Sequence, residues 1–600
     1  MRNLRLAMLA ILIQATAPIA ARGLEPINPK DPNVVPIAWS AFVSTLPSDA
    51  DSARARSVLL NANKYAVTTW YNTSKNFDAQ SGTYLDFGGT GETAIRPSAS
   101  QAISLAISLK LNAYSSTATG VSEASAKAIT LKLVRSLAYG HLSNTSGGWG
   151  NEWQSALWAH YAGTAGWLMW ADLSATDREY VRKMVEYEAN RFIGYQTPYY
   201  RNTGGTILTP GDSKAEENSW NAMVLQLATS MMPAHPNYRA WLHKEVELMM
   251  SAFARPADLG STTSYNGAPF SWWLNGSNAE NDHMVVNHSR IHPDYTMTVT
   301  QNLNAILVAA MAGVPAPQAA RANTAGTYDA LVDLSFTAGA SYAGTNTSIY
   351  SPGGSIFIRN SANLYFPQGN DWGTNRRMNS ALMDAMARAF GLDGAASVKA
   401  TVWEPLHMQR VLDDQSRGTD GRTYQAAGED TYAGREEWVA ALAARAWWTK
   451  WVAAKGAGST SNAAIATVVD NKDRGFSVLG GTWAANTSGA DKLGTGFRSI
   501  APGSGANKVR FSFAIPVAGS YKVYAWWPAA SSHASNARYK ITYGGTSAYV
   551  TMDQRANGGR FNLLGTYNFS AGAGQSVELD DLANGTVAAD AILFMPADAL

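Results

Sequence analysis

Between about Pro36 and Trp451, apolar residues recur at three- and four-residue spacing over 102–111, 124–137, 155–169, 175–192, 220–231, 238–253, 298–311, 379–390 and 436–452. That period places the apolar positions on one face of an α-helix and predicts a helix over each span. The intervening segments are long and rich in Gly, Asn and aromatic residues. Antiparallel helices joined by alternating short and long loops suit an α/α toroid of helical hairpins, with the long loops gathered around a cleft at one end. A simple bundle is the plainer alternative. Tryptophans in the loops and helix starts (Trp149, Trp153, Trp158, Trp272, Trp273 and Trp372) offer ring faces for stacking on sugars, although burial in a core is the commoner use of the residue.

The period changes after Trp451. Residues 453–464, AAKGAGSTSNAA, form a small-residue linker, and beyond it the chain alternates apolar and polar positions in short runs separated by Gly, Asn and Ser. Such runs predict the strands of a β-sandwich. The chain therefore reads as multidomain: a mainly α domain over 23–452, a linker over 453–464 and a small all-β domain over 465–600. Its 600 residues, 46% of them hydrophobic, exceed what one core organises.

Residues 1–22 begin with Arg2 and Arg5, continue in a short apolar run and end in small residues, which is the plan of a signal peptide. No run reaches the roughly 20 apolar residues of a membrane helix, so a secreted or periplasmic, membrane-free monomer is expected. The absence of Cys excludes disulfides and thiolate chemistry. A net charge of +2 argues against a nucleic-acid partner, which calls for a strong basic excess.

Proton-transfer groups concentrate in one stretch. Residues 278–307 hold His283, His288, His292 and Tyr295, groups able to donate or accept protons near neutrality, although a histidine-rich loop is also ordinary polar surface. Their spacing repeats no recognised zinc motif, and neither a metal nor a cofactor is expected. A second stretch, KAEENSWNAMVLQLATSMM from Lys214, places Asn218 or Ser219 to cap a helix with Trp220 and Asn221 in its first turn. A third, YFPQGNDWGTNRRMN over 365–379, offers Asn370, Asp371 and Trp372 to sugar hydroxyls and ring faces. Trp153 can line the same cleft.

The β-rich tail resembles the golvesin-type domain that also ends xanthan lyases, on VVDNKDRGFSVLGGTW (468–483), YKVYAWWPA (521–529), DQRANGGRFNLLGTYNF (553–569) and LANGTVAADAILF (582–594). The resemblance implies an accessory, carbohydrate-binding role. The Asn218–Trp220–Asn221 helix start, the Asn287–His288–Ser289 pair and Pro293–Asp294–Tyr295 together resemble the helical-toroid polysaccharide lyases, the heparinase and alginate lyase relatives. That resemblance implies β-elimination on a uronic-acid-containing polysaccharide. Asn218 and Asn221 would offset the uronate carboxylate, His288 or His292 would take the C5 proton, and Tyr295 would serve as acid, or as base and acid in turn. Asn287 would bind substrate, and Arg290, Arg376 or Arg377 would clamp the carboxylate. The competing reading is a glycoside hydrolase on the same scaffold, drawing a carboxylate pair from Asp212, Glu216, Glu217, Glu280, Asp282 and Asp294. A non-catalytic sugar binder is the third.

Overall fold

The computed structural model describes residues 34–597 apart from 42–44, 193–194, 236, 372–375, 427, 430–431, 433, 457, 464, 466, 474, 490, 494–495 and 516–517. The expected signal peptide and Trp372 lie outside the described residues.

The helical part contains α1 (Ala50–Tyr65), α2 (Glu92–Lys110), α3 (Glu123–Tyr139), α4 (Ser155–Leu168), α5 (Ala175–Arg191), α6 (Ala215–Met231), α7 (Tyr238–Ala252), α8 (Thr300–Ala312), α9 (Thr324–Asp333), α10 (Arg377–Phe390), α11 (Ala400–Gln415) and α12 (Arg435–Lys455). The helices fall into two classes. Every residue of α4 is buried, and α6, α8 and α12 are buried nearly all round. A helix buried on all sides sits at the centre of its domain, whereas α3 and α5 bury one stripe and lie outside. The inner helices pack in sequence, α2 on α4, α4 on α6, α6 on α8, α8 on α10 and α10 on α12, and α12 returns to pack on α2. Outer helices back them: α3 on α2, α5 on α4, α7 on α6, α11 on α10 and α1 on α12.

Three helices, α1, α9 and α11, carry no predicted span, and α2 starts ten residues before its predicted 102–111. Pro97 lies inside α2 and Pro405 inside α11. A proline inside a helix removes a hydrogen bond at a cost of about 3 kcal/mol. The packing of these helices outweighs that local signal, with Ile95, Ala99, Ile103 and Ala106 of α2 all but inaccessible.

The all-β part follows. Strands β1 (Thr467–Asp470), β2 (Phe476–Val478), β3 (Ala484–Asn486), β4 (Phe497–Ile500), β5 (Lys508–Ile515), β6 (Gly519–Trp526), β7 (Ala537–Tyr543), β8 (Thr546–Met552), β9 (Phe561–Phe569), β10 (Gly572–Asp580), β11 (Val587–Ala589) and β12 (Ala591–Pro596) form three sheets. Their orders are β1-β12-β6-β9, β2-β5-β10-β7-β8 and β3-β4-β11. Val523 and Phe594 of the first sheet share one apolar cluster with Phe511, Ile541 and Val577 of the second, so two sheets face each other across a core.

The segment between the parts is docked. Thr460–Ser461 pairs in parallel with Ala316–Pro317, and Asn266 donates Nδ2 to the carbonyls of Ser461 and Ala463 at 3.0 and 3.3 Å. Ile465 is buried beneath it. Composition alone suggests a loose linker here; one buried Asn from elsewhere in the chain ties it down.

Candidate active site

The histidine stretch begins with a hairpin. Val286–Asn287 pairs antiparallel with Arg290–Ile291, leaving His288 and Ser289 as the two turn residues, with φ of 51° and 59°. Two consecutive positive φ values define the tight hairpin turn that glycine and asparagine usually occupy, so His288 and Ser289 stand in strained backbone. The surroundings enforce it. Asn287 Oδ1 accepts from the His288 N–H at 2.8 Å, the Ser289 N–H donates to the Gly211 carbonyl at 2.9 Å, and the Ile291 N–H donates to Gln368 Oε1 at 2.6 Å. Gly211 is required here, since a Cβ would meet Ser289 Oγ at 2.2 Å.

The turn lifts the His288 imidazole into the open. Its Nδ1 lies 2.5 Å from Asp371 Oδ2, and its Nε2 lies 3.2 Å from the Tyr295 hydroxyl. Asp371 also reaches His292 Nε2 at 3.3 Å. Tyr295 follows from Pro293 at the first position of a one-turn helix, Pro293–Thr296, where the missing N–H costs nothing. Its ring meets those of His288 and His292 edge to face, with centroids 5.4 and 4.6 Å away.

Behind this row lies a buried charged layer. Glu216 in the first turn of α6, Asp294, and Arg376 just before α10 are each at least nine-tenths buried. Burial pushes the Glu216 carboxyl up to about 7 against the pull of Arg376 and Arg96, with Tyr295 hydrogen-bonded to it. Burial also pushes Asp294 up to about 6, against Arg376 and a hydrogen bond from Asn379, and Arg376 down to about 10. The Tyr295 phenol is held far above its ordinary range, by burial first and then by Glu216, so it carries its proton. His292 is pushed down to about 4 by burial, outweighing Asp371, and is neutral. Partial burial works to raise Asp371, but hydrogen bonds from the two histidines outweigh it and hold the carboxyl far below the usual carboxylate range. Arg96 extends the layer, donating to Tyr432 Oη at 3.2 Å and Gln154 Oε1 at 3.3 Å.

The structure thus brings together His288, His292, Tyr295 and Arg376. Arg290 stands beside them, its Nε donating to the His288 carbonyl at 3.3 Å, and it pairs with no carboxylate among the described residues. Asn370 adjoins Asp371 on the half-exposed rim. Trp153 is 55% exposed and meets the buried Trp220, one turn along α6 from Glu216, edge to face at 4.9 Å.

Other expected residues stand elsewhere. Helix α6 starts at Ala215, not at Asn218, and Ser213 Oγ accepts the Ala215 N–H at 3.1 Å. Asn218 is therefore inside the helix and inaccessible, and its Nδ2 donates to the Pro198 carbonyl and Ser251 Oγ, each at 3.0 Å. Asn221 is buried on the same helix. Asn287 is also buried, donating Nδ2 to the Ser213 carbonyl at 3.1 Å, and shapes the turn. Trp149, Trp158 and Trp273 are core residues whose ring N–H groups donate to Leu137, Gln154 and Tyr265. His283 is held by Arg255 at 2.9 Å and pushed down to about 4 by burial. Arg96 and Tyr432 were not singled out from the sequence, because they come from two stretches, more than three hundred residues apart, that only the fold brings together.

Comparison with known proteins decides the nature of the tail. Residues 467–596 match the Golvesin C-terminal domain. The β-part is a golvesin domain. A xanthan lyase of Bacillus sp. (strain GL1) is 33% identical over 133 residues, 21% of this chain, and the chain spans only 14% of that relative's length. Among solved structures, a Paenibacillus xanthan lyase is 32% identical over 23% of this chain and 14% of its own, with a TM-score of 0.22. Arthrobacter globiformis T6 isomalto-dextranase complexed with panose is 19% identical over 22% of this chain and 23% of its own, with a TM-score of 0.18. Among the described residues, no helix is long and apolar enough to cross a membrane.

Proposed function

We propose that this chain is an exported polysaccharide lyase that cleaves a uronic-acid-containing polysaccharide by β-elimination. In this reading the circuit of inner and outer helices is an α/α toroid, and the golvesin domain is an accessory carbohydrate-binding module. The observation that carries the reading is the Tyr295 hydroxyl 3.2 Å from His288 Nε2, with Asp371 on the far side of the same imidazole. The C5 proton of a uronate is weakly acidic because the adjoining carboxylate is already negative, so that charge must be offset first. Arg290 takes the carboxylate in a two-pronged hydrogen bond. His288 Nε2 accepts the C5 proton, and Asp371 at Nδ1 stabilises the resulting imidazolium, much as the aspartate of a Ser-His-Asp triad does. The electron pair of the C5–H bond forms the C4–C5 double bond, the C4–O bond breaks, and Tyr295 protonates the departing oxygen. In a syn geometry Tyr295 takes both proton-transfer roles, passing its own proton to His288 Nε2 before it accepts the one from C5. Trp153 stacks on a sugar ring at the rim.

A second reading has one observation in its favour. Glu216, pushed up to about 7, and Asp371, held ionised, have the split that a glycoside hydrolase gives its acid and its second carboxylate. Incubation with uronate polysaccharides separates the two. A lyase yields an unsaturated product absorbing in the ultraviolet, and a hydrolase yields reducing ends without it.

A further inference from the structure

Side chains from two distant stretches converge at the cleft: His288 from the hairpin turn and His292 just before Pro293, and Asp371, which lies 83 residues beyond His288. One ligand atom from each lies within 4.8 Å of the others. We propose that His288, His292 and Asp371 form a binding site for a divalent transition-metal ion of the zinc class, with a coordination position open to a substrate carboxylate.

The donor set fits. Two imidazoles and one carboxylate suit zinc and its neighbours in the first transition row, not calcium or magnesium, which take oxygen ligands. Bonds of about 2.0–2.2 Å to a tetrahedral ion set its ligand atoms roughly 3.3 Å apart. His292 Nε2 and Asp371 Oδ1 already stand at 3.3 Å. His288 Nδ1 stands 2.5 Å from the other carboxylate oxygen, Oδ2, and a small turn of the Asp371 carboxylate lets the ion replace the proton they share. The rigid element is present, since His292 is 1% exposed on a helix cap and fixes one corner. The opening is present as well, since the side chains of His288 and Asp371 are 39% and 25% exposed. Tyr295 at His288 Nε2 supplies the outer hydrogen bond that orients a ligating imidazole.

The ion's role rests on the lyase reading; its binding does not. A cation here adds to Arg290 in offsetting the uronate carboxylate. With Nδ1 on the ion, His288 would turn Nε2–H towards the Tyr295 oxygen and favour the phenolate, the phenol proton being lost to solvent on metal loading; the phenolate would then take the C5 proton and pass it to the departing oxygen in the syn course.

The test uses the tag-free full chain, stripped with a chelator and titrated with Co²⁺, followed by visible absorption and calorimetry without polysaccharide. One ion per chain is expected, with affinity reduced at least about tenfold in His288→Ala, His292→Ala and Asp371→Asn at unchanged circular dichroism. If buried His292→Ala fails to fold, the two rim variants carry the test. No saturable one-to-one binding, or binding that survives the rim substitutions, overturns the site. Saturable binding in a protein that gives no unsaturated product would retain the metal site and overturn the lyase reading alone.

Discussion

Glu216→Gln leaves shape and volume nearly unchanged and removes one ionisation. In the fold this carboxyl is 6% exposed, and burial raises it from 4.5 to about 7, the attraction of Arg376 and Arg96 only partly compensating. An acid whose pKa is raised by folding binds its proton more tightly in the native state. Stability therefore declines as pH rises from the unfolded value, 4.5, to the folded one, about 7, and stays low above it. At about 1.4 kcal/mol per pH unit, the interval corresponds to about 3 kcal/mol. The glutamine side chain cannot ionise and escapes the loss. Denaturant unfolding of both proteins between pH 4.5 and 8 should show nearly equal stability at the acid end, with the variant ahead by about 3 kcal/mol at the alkaline end. A gap that does not vary with pH, or a variant weaker at pH 8, would refute the reasoning. The same variant bears on function: as a lyase it keeps most of its turnover, because the substituted amide still hydrogen-bonds Tyr295, whereas a hydrolase using Glu216 as its acid loses it.

Asn218→Ala should lower stability by about 1–3 kcal/mol while leaving kcat nearly intact, because its amide serves Pro198 and Ser251; circular dichroism melts and kinetics check this. Trp153→Ala should raise KM by roughly three- to tenfold with little change in kcat, the value of a ring stack of about 0.5–1.5 kcal/mol at an exposed rim. Asn266→Ala should free residues 461–463 and speed their cleavage in limited proteolysis, whereas the parent chain resists at this joint.

The helix period marked nine of the spans that fold as helices, from the one-stripe α3 and α5 to α4, which is buried on every side. It failed where burial rather than pattern decides: α2 and α11 tolerate Pro97 and Pro405 because packing outweighs one lost hydrogen bond. The switch to strand alternation after Trp451 was plain, but the docking of 460–465 was not, because it depends on Asn266 nearly two hundred residues earlier. In the site, His288, His292 and Tyr295 are close in sequence and could be found by density of chemistry alone. Asp371 stood in a loop noted for sugar contacts, and nothing in its neighbours announced that it would join both histidines. Asn218 misled because a capping residue and a helix-interior residue look alike when the helix start is misplaced by four residues, the N-cap being Lys214. Glu216 was read as one of six candidates for a hydrolase's carboxylate pair; only the fold sets it against Tyr295 and Arg376.

The central claim is that the Tyr295 hydroxyl, facing His288, transfers a proton during an elimination. The direct measurement is the rate at which ultraviolet-absorbing unsaturated product appears from a uronate polysaccharide, for the parent chain and for Tyr295→Phe, a variant that loses one oxygen and keeps the ring packed on both histidines. The parent chain should give steady product, and Tyr295→Phe should lose at least about a hundredfold in turnover at an unchanged fold. Product from Tyr295→Phe at the parent rate, or reducing ends without unsaturation from the parent chain, would contradict it.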